Sequence, residues 1–481
     1  MQIGSCGGFA TTYYQFTYEM NKYRGITTTN NNTYSPSWTY NYVNGGADNG
    51  AYLSDCYNVL GNQGALTLED FPYNGNASSY SYDWCSNQTK LLDALQYRVA
   101  SVQKITPSSG TDTTNLNKIK AQLSSGHVGV VWVDALRWEI RMNSDGEYAV
   151  VQGGTNIDSN DTDPGGHFMA VVGYDNDFEI EVNGVTLKGA FKLANSWGAN
   201  WNQGNNGYIW VCYDALTANN THGSNFNNDF SYPRARVFGS NQFSFITVQE
   251  CDVYFAGILI FITNNPNSFN IRSKIGSSSY SVNRNVHTYS NLQNPTFKYI
   301  AFDYFDADGI YDLSDHLSQS WLVELNSTIS NNTTYRINPR MVDNLGKAIV
   351  PIDSLFGSLS SDSYSRTTNV NLAKGRVTTY DNNEITSSDS QLVLNYLVGN
   401  VQFSNLQKYL ADYNNDGEVD IRDVIAMNVH ISSLNGASYS IYDYIPEWGY
   451  SLSDIIDNES AAIAEQYSEE LYDLIGRGES S

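Results

Sequence analysis

Three polar residues far apart in the chain have the types and the order needed for covalent acyl transfer. Cys6 closes a Gly-Ser-Cys triplet, His167 follows a pair of glycines, and Asn195 opens an Asn-Ser-Trp-Gly stretch. A cysteine attacks as its thiolate, so it needs a neighbouring base, and that base needs a third group to orient its ring. Cysteine, histidine and asparagine form one version of this set. The sequence therefore predicts a thiol-dependent enzyme that needs no cofactor for catalysis.

A second cluster of residues, near the C-terminus, suits a hard cation. Residues 412–423 follow the pattern of a calcium loop, with oxygen ligands at the required positions and glycine at its sixth position. The last position holds aspartate, where an EF-hand has glutamate. Calcium is thus the predicted cofactor of this region. Its expected ligands are Asp412, Asn414, Asp416, Glu418, Asp420 and Asp423.

The elements around the first cluster have to bring its three residues together. Helical periodicity is present over 10–22, directly after Cys6, and again over 50–61 and 114–124. A thiol at a helix start meets free backbone N–H groups and the positive end of the helix dipole, which lower its pKa. Between His167 and Asn195, residues 179–188 alternate around an Asn-Gly pair, which predicts a β-hairpin.

The composition narrows the classes of partner. The 481 residues include 26 Lys and Arg against 50 Asp and Glu, a net charge of −24, which argues against nucleic acid and anionic membranes. Charged residues make up only 16%, while tyrosine alone occurs 36 times, as in a polar, uncharged and β-prone secreted protein. The longest apolar run, 253–263, is too short to cross a bilayer, so no membrane insertion is expected.

Residues 1 to about 230 resemble a bacterial papain-like cysteine peptidase in four stretches. Phe-Ala follows the Gly-Ser-Cys of Cys6, and Asn-Gly-Ala at 49–51 precedes Glu-Asp-Phe-Pro-Tyr at 69–73. His167 leads into Ala-Val-Val-Gly-Tyr, and the Asn-Ser-Trp-Gly of Asn195 is followed by Gly-Tyr-Ile at 207–209. The resemblance implies a papain-like α+β fold and hydrolysis of peptide bonds in a protein or peptide substrate.

The same resemblance assigns roles to individual residues. Cys6 would be the nucleophile, His167 would form the thiolate–imidazolium pair and protonate the leaving amine, and Asn195 would orient the imidazole. Trp197 would shield the bond between His167 and Asn195 from water. The expected lining of the substrate groove is Asn49, Gly50 and Ala51.

Several departures from the family pattern leave alternatives open. Ala51 stands where glycine is usual, and Gly7-Gly8 replace a bulky-then-small pair, which weakens the first helical turn. Gln2 lies too close to Cys6 to match the oxyanion-hole glutamine, so we expect an N-terminally truncated chain. The alternative is an inactive, peptidase-like module that binds or protects. A transpeptidase or glycan-peptide hydrolase is a further rival.

The other four cysteines leave the disulfide pattern open. None of them stands at the family's disulfide position just before the nucleophile, and pairing of Cys56 with Cys85 is one possibility. The remaining two are Cys212 and Cys251.

Residues 231–368 predict an all-β module. Strand signals recur at 243–249, 252–263, 296–305, 320–325 and 334–338, separated by Asn, Gly, Ser and Pro turns. Strands without intervening helices imply a sandwich or a barrel. The region weakly resembles the lectin-like β-sandwich that follows bacterial papain-like peptidases. Binding of carbohydrate or protein, and a packing or spacer role, are both open.

Residues 369–434 resemble a small α-helical, calcium-binding dockerin of a cellulosome. The calcium loop ends in aspartate, and a helix is predicted only after it, at 424–431. An earlier, degenerate loop precedes a second predicted helix at 391–397. The resemblance implies a calcium-dependent bond to a cohesin module of a scaffoldin. A weaker metal site is expected at Asn382, Glu384, Thr386 and Asp389.

The sequence as a whole predicts a multidomain, extracellular cysteine endopeptidase docked on a cellulosome-type assembly. Its expected parts are the peptidase (1–230), the β-sandwich (231–368), the dockerin (369–434) and an acidic tail of unknown role (435–481).

Overall fold

The chain folds into two compact units, one built on residues up to Cys251 and the other on residues from Asp252 onward. In this computed structural model the described residues are 4–44, 48, 50–73, 88–135, 138–153, 166–201, 206–216, 238–263, 269–275, 278–284, 298–303, 318–327, 334–351, 355–358, 363–381 and 383–434.

The first unit begins with a continuous helical run that starts at the expected nucleophile. It comprises Cys6–Gly8 (α1), the π-helical Phe9–Phe16 and Thr17–Tyr23 (α2). The helices predicted over 10–22, 50–61 and 114–124 are confirmed to within a few residues. The further helices of this unit are Pro36–Val43 (α3), Leu53–Gln63 (α4), Gln88–Leu95 (α5) and Thr113–Ser124 (α6), with short 3-10 turns at Asn30–Asn32 and Tyr213–Ala215.

Close packing explains why two glycines follow the nucleophile despite their poor helix propensity. A Cβ on Gly8 would lie 2.5 Å from the backbone oxygen of Pro36, at the start of α3. A Cβ on Gly7 would lie 3.3 Å from the Cβ of Ala51 and 3.4 Å from the Sγ of Cys56. The departure from the family pattern therefore lets α1 lie directly against α3 and α4.

One eight-stranded sheet forms the other half of this unit, in the order β1-β8-β2-β5-β6-β7-β4-β3. Neighbours pair antiparallel except β4 and β7, which are parallel. The predicted hairpin is confirmed: Val182 pairs with Val185 across a turn in which Asn183 and Gly184 have positive φ. The strands are Tyr97–Ile105 (β1), Gly129–Asp134 (β2), Trp138–Met142 (β3), Tyr148–Gly153 (β4), Gly166–Val182 (β5), Val185–Ala194 (β6), Tyr208–Cys212 (β7) and Phe238–Glu250 (β8).

The last strand of this sheet corrects the predicted domain boundary at 230. Both edges of β8 are occupied, since Phe243 pairs with Ile105 of β1 and with Val131 of β2. Phe243 and Phe245 are buried in the same apolar core as residues of β2, β5 and β6. The strand predicted at 243–249 is present, but it completes the sheet of the first unit rather than opening the β-module.

The second unit contains two antiparallel sheets, which agrees with the predicted all-β character. One has the order β11-β10-β13-β17; the other has β12-β9-β14-β15, with β16 also paired to β14. The strands are Phe255–Thr263 (β9), Phe269–Ile275 (β10), Ser278–Arg284 (β11), Lys298–Asp303 (β12), Ser318–Ser327 (β13), Thr334–Asp343 (β14), Ala348–Pro351 (β15), Leu355–Ser358 (β16) and Ser363–Asn371 (β17).

Three helices follow in the same unit: Ser387–Leu397 (α7), Asn405–Ala411 (α8) and Ile421–Leu434 (α9). The two predicted helices correspond to α7 and α9, whereas α8 was not predicted. Capping boxes begin two of them, formed by Thr386 with Asp389 and by Ser404 with Gln407, so the backbone N–H groups at these helix starts have acceptors.

Buried polar contacts join these helices to the turn between β14 and β15. The Tyr380 hydroxyl donates to the buried carboxylate of Asp343 and lies 3.0 Å from the Ser404 hydroxyl. The ammonium group of Lys347 donates to the carbonyls of Val377 at 3.1 Å and Thr378 at 3.0 Å. At the predicted boundary at 368, polar contacts therefore join the β-strands to the helices that follow.

No helix in the part of the chain that the structure describes is long and apolar enough to cross a membrane.

The packing of α1 predicts the effect of a single methyl group. Gly8→Ala should lower the free energy of unfolding by about 1–3 kcal/mol, because its Cβ meets rigid backbone of α3. Gly61→Ala is the matched control: it also lies in a helix, but its nearest atom is 3.5 Å away. This change should be neutral or stabilise by up to about 1 kcal/mol. Denaturant unfolding of both variants measures the difference; equal stabilities would contradict the packing explanation.

Candidate functional site

The predicted nucleophile, Cys6, lies at the very start of the helical run. Cys6 is half-buried and not in a disulfide. Burial raises the pKa of its thiol, while the backbone N–H groups of Phe168, Gly7 and Cys6 itself lower it. The contact with Phe168 places the thiol beside the strand residue that directly follows His167. Free N–H groups at a helix start are the expected surroundings of a reactive thiolate.

The base and its orienting partner meet in a buried hydrogen bond. The Nε2 atom of His167 lies 2.8 Å from the Oδ1 atom of Asn195. Because a side-chain carbonyl oxygen only accepts, Nε2 carries the proton, and Nδ1 is left to exchange a proton with the thiol. Trp197 stacks on the imidazole, with 4.7 Å between ring centroids and 29° between planes. The predicted shielding role of this tryptophan fits that geometry.

Burial pushes the two reacting groups toward their neutral forms. It lowers the pKa of His167, which the hydrogen bond to Asn195 partly restores. It raises the pKa of Cys6, as described above. A thiolate–imidazolium pair therefore depends on the attraction between the two charges, and its titration belongs to the pair rather than to either residue.

The predicted groove residues lie against the nucleophile loop where the structure describes them. A Cβ on Gly4 would lie 3.2 Å from backbone atoms of Gly50, and Ala51 packs toward Gly7. Asn49 lies outside the described residues. Gly50 and Ala51 therefore lie beside the loop that carries Cys6, and their contact with substrate stays a prediction.

Sequence reasoning missed an acidic residue beside the nucleophile. The Oδ1 atom of Asp48 accepts from the backbone N–H of Gly4 at 2.7 Å and from the Tyr40 hydroxyl. Its negative charge raises the pKa of Cys6. The only sequence signal was its place directly before the groove motif. A second missed residue is Tyr73, whose hydroxyl oxygen lies 3.1 Å from the hydroxyl oxygen of Ser5.

Residues 2–225 match the family model for papain family cysteine proteases. The chain carries a papain-family cysteine protease domain. No curated protein shows significant sequence similarity to the chain. The β8 strand of this papain-family domain lies beyond the matched residues.

Two solved structures of the cysteine protease Cwp84 also resemble the chain. One is a cysteine-to-alanine variant of the clostridial protein after propeptide cleavage: 12% identity, TM-score 0.35, covering 76% of this chain and 88% of that one. The other contains the cysteine protease and lectin-like domains of the surface layer associated protein from Clostridium difficile: 12% identity, TM-score 0.33, covering 76% and 80%. Similarity at this level carries no argument about the function of this chain.

The three remaining described cysteines are buried, and none of them is in a disulfide: Cys56, Cys212 and Cys251. Burial raises the pKa values of Cys56 and Cys212 to about 12. Cys85, the possible partner of Cys56, lies outside the described residues.

The loop at 412–423 has the donor chemistry of a calcium site. Asp412 accepts from the backbone N–H groups of Asp416 at 3.1 Å and Gly417 at 3.2 Å, which closes the turn. Asn415 and Gly417 have the positive φ values that such a turn needs. The donors predicted to bind the ion are all oxygens, as a hard cation prefers.

The same loop is not gathered into a metal cage. The Arg422 guanidinium forms salt bridges with Asp416 at 2.9 Å and Asp420 at 2.7 Å, two of the expected ligands. Among the residues that the structure describes, no three His, Cys, Asp or Glu side chains are placed to hold a metal ion together. Calcium would therefore have to compete with Arg422 for these carboxylates.

The earlier loop fits calcium poorly, because the carboxylate expected to bind the ion is already engaged; the weaker second site stays a prediction. Asp389 is fully buried, and both of its oxygens already accept hydrogen bonds. One takes the backbone N–H of Val377 and both donors of Thr378; the other takes both donors of Thr386 and the Arg376 guanidinium. No lone pair on this carboxylate is left for a metal ion.

Arg376 supplies the positive charge that the sequence pattern assigned to calcium. Its guanidinium also donates to Thr379 at 2.5 Å and to both oxygens of Asp381 at 2.9 and 3.2 Å. Thr386, an expected ligand, donates its hydroxyl to Asp389 instead. Glu384 is exposed, and Asn382 lies outside the described residues.

The active-site electrostatics predict opposite shifts for two substitutions. His167→Ala removes the proton acceptor, so alkylation of Cys6 by iodoacetamide should require a higher pH than in the wild type. Asp48→Asn removes the negative charge that raises the thiol pKa, so alkylation should proceed at a lower pH.

The measurement is the rate of Cys6 labelling against pH, located by peptide mass spectrometry. Cys56 and Cys212 serve as internal controls, because burial raises the pKa values of both thiols and they should therefore label slowly in the folded protein. Identical profiles for the wild type and His167→Ala would contradict the pairing of Cys6 with His167.

Proposed function

We propose that this chain is an endopeptidase that hydrolyses peptide bonds through an acyl-enzyme on Cys6. The observation that carries the proposal is the buried bond between His167 and Asn195 beside a thiol at a helix start. His167 takes the thiol proton on Nδ1, and the thiolate attacks the scissile carbonyl carbon. The resulting oxyanion is stabilised by the backbone N–H of Cys6. His167 then protonates the leaving amine, and water releases the acyl group.

Turnover of peptides tests this proposal. Cys6→Ala should abolish hydrolysis of fluorogenic peptides, and His167→Ala should reduce kcat by about 100- to 10,000-fold. The buried control Cys212→Ala should keep the wild-type rate, provided the variant is folded. Normal pH-dependent labelling of Cys6 without turnover of any peptide or protein substrate would instead favour the inactive, binding or protective module.

We further propose that residues 252–371 form a β-sandwich and that its role is structural support. Buried contacts of Asp343 and Lys347 with the helical segment support this role, because they join the two parts within one compact unit. Binding of a carbohydrate or protein by these sheets, as in a lectin, stays a secondary proposal.

For the helical segment, we propose a dockerin that binds a cohesin module of a scaffoldin in a calcium-dependent way. The supporting observations are one loop with all-oxygen donors, two helices that each follow a loop, and the packing of α7 against α9. Residues of the 412–423 loop would hold the ion, and the proposed location of the protein is extracellular, in a cellulosome-type assembly. Arg376 makes the first loop independent of metal, so one ion per chain is expected.

Calcium titration of the full chain separates the two loops. Isothermal calorimetry should give one site, which Asp412→Ala removes. Arg422→Gln should tighten calcium binding, because it removes the cation that competes for Asp416 and Asp420. Glu384→Gln, in the first loop, is the matched control and should change neither affinity nor stoichiometry. Two sites of similar affinity would contradict the role given to Arg376.

We expect cohesin binding, like calcium binding, to depend more on the 412–423 loop than on the first loop. Asp416→Ala should weaken binding to a cohesin module far more than Asn382→Ala does, and chelation should weaken it in the wild type. Calcium binding without any cohesin affinity would retain the metal site and reject the dockerin proposal.

A further inference from the structure

A tyrosine on the nucleophile helix contacts the residue that orients the catalytic base. The hydroxyl of Tyr14 donates to the backbone carbonyl oxygen of Asn195 at 3.1 Å. Its half-buried ring packs against the small apolar cluster formed by Val128, Ala170 and Ala194, the last of which directly precedes Asn195. One side chain thus connects the helix of Cys6 with the ends of β5 and β6.

The π-helical segment places Tyr14 and its neighbour on the sheet. In a π-helix the chain takes a wider turn than in an α-helix, and such turns are frequent at functional sites. Here Tyr14 contacts Asn195, while the next residue, Gln15, donates to the carbonyls of Val128 at 2.7 Å and Ser244 at 2.8 Å. Two consecutive side chains therefore fix both the rotation and the position of the helix on the sheet.

Few other contacts hold Asn195 in place. Its backbone N–H donates to the carbonyl of Gly207 at 2.8 Å, and its Oδ1 atom accepts from His167. The buried Nδ2 atom has no hydrogen-bond partner among the described residues. Because the amide group is held only through His167, its orientation depends on a fixed backbone.

We propose that Tyr14 is a positioning residue for the peptidase reaction. It holds the backbone of Asn195 so that Oδ1 keeps the proton of His167 on Nε2 and Nδ1 faces the thiol. This inference rests on the proposed peptidase activity and adds a fourth residue to its machinery. Burial raises the pKa of Tyr14 to about 12, so the hydroxyl stays a donor at any pH at which the enzyme works.

Tyr14→Phe tests the proposal, since it removes the hydroxyl and keeps the ring that packs on the cluster. Loss of one positioning hydrogen bond should lower kcat by about 3- to 10-fold with little change in KM. The bond to Asn195 raises the pKa of His167, so loosening it should also narrow the pH–rate profile. Tyr18→Phe, an exposed tyrosine on the same helical run, should change neither quantity.

A double-mutant cycle separates positioning from general destabilisation. In an Asn195→Ala background, Tyr14→Phe should have no further effect on kcat, because the side-chain amide through which Tyr14 acts on His167 is gone. Additive losses in the cycle, or a kcat loss with an unchanged pH profile and an equal drop in thermal stability, would overturn the proposal.

The pH profile of Cys6 alkylation provides a readout that needs no turnover. Tyr14→Phe should shift labelling toward higher pH, because a less firmly held imidazole stabilises the thiolate less. If the wild type has no peptidase activity but the shift is observed, the proposed function fails and the positioning role stands. Identical labelling profiles for Tyr14→Phe and the wild type would overturn the positioning role.

Discussion

The helix that begins at Cys6 has to lie against the sheet that carries His167, and a buried amide holds it there. The side-chain NH₂ group of Gln15 donates to the backbone carbonyls of Val128 and Ser244. Its side-chain oxygen accepts from the Tyr57 hydroxyl at 2.7 Å. All of these groups are buried, so each would lose free energy if left without its partner. The position of the Cys6 helix on the sheet therefore depends on buried polar groups that satisfy one another.

The site is buried between the helical run and the sheet, and this burial affects its charged groups. A low dielectric disfavours an isolated thiolate and an isolated imidazolium alike, which is why the pKa of Cys6 rises and that of His167 falls. The same surroundings strengthen the attraction between the two charges and the hydrogen bond to Asn195. Residues that hold distances constant, such as Asn195, thereby matter as much as the reacting atoms.

In the second unit, two loops each end in a buried aspartate, and the contacts of these two carboxylates differ. Buried aspartates at the starts of α7 and α9 accept backbone N–H groups that would otherwise lack partners. At Asp389 an internal guanidinium neutralises the charge. At Asp423 the described contacts are backbone donors, and burial raises the pKa of its carboxyl to about 6. Two loops with related sequence patterns thus differ in which carboxylates an internal guanidinium contacts: Asp389, the last residue of the first loop, or Asp416 and Asp420 within the second.

The sequence by itself predicted the catalytic set, because nucleophile, base and orienter must be particular residue types in a recognisable order. It also determined the long helices and the hairpin at Asn183-Gly184, since periodicity and turn chemistry act over a few neighbouring residues. Strand propensity does not specify a partner, so only the tertiary structure showed that β8 completes the first sheet. The contacts of Asp48, Tyr14 and Arg376 could not be predicted from the sequence either, because each depends on atoms that only folding brings within hydrogen-bond distance.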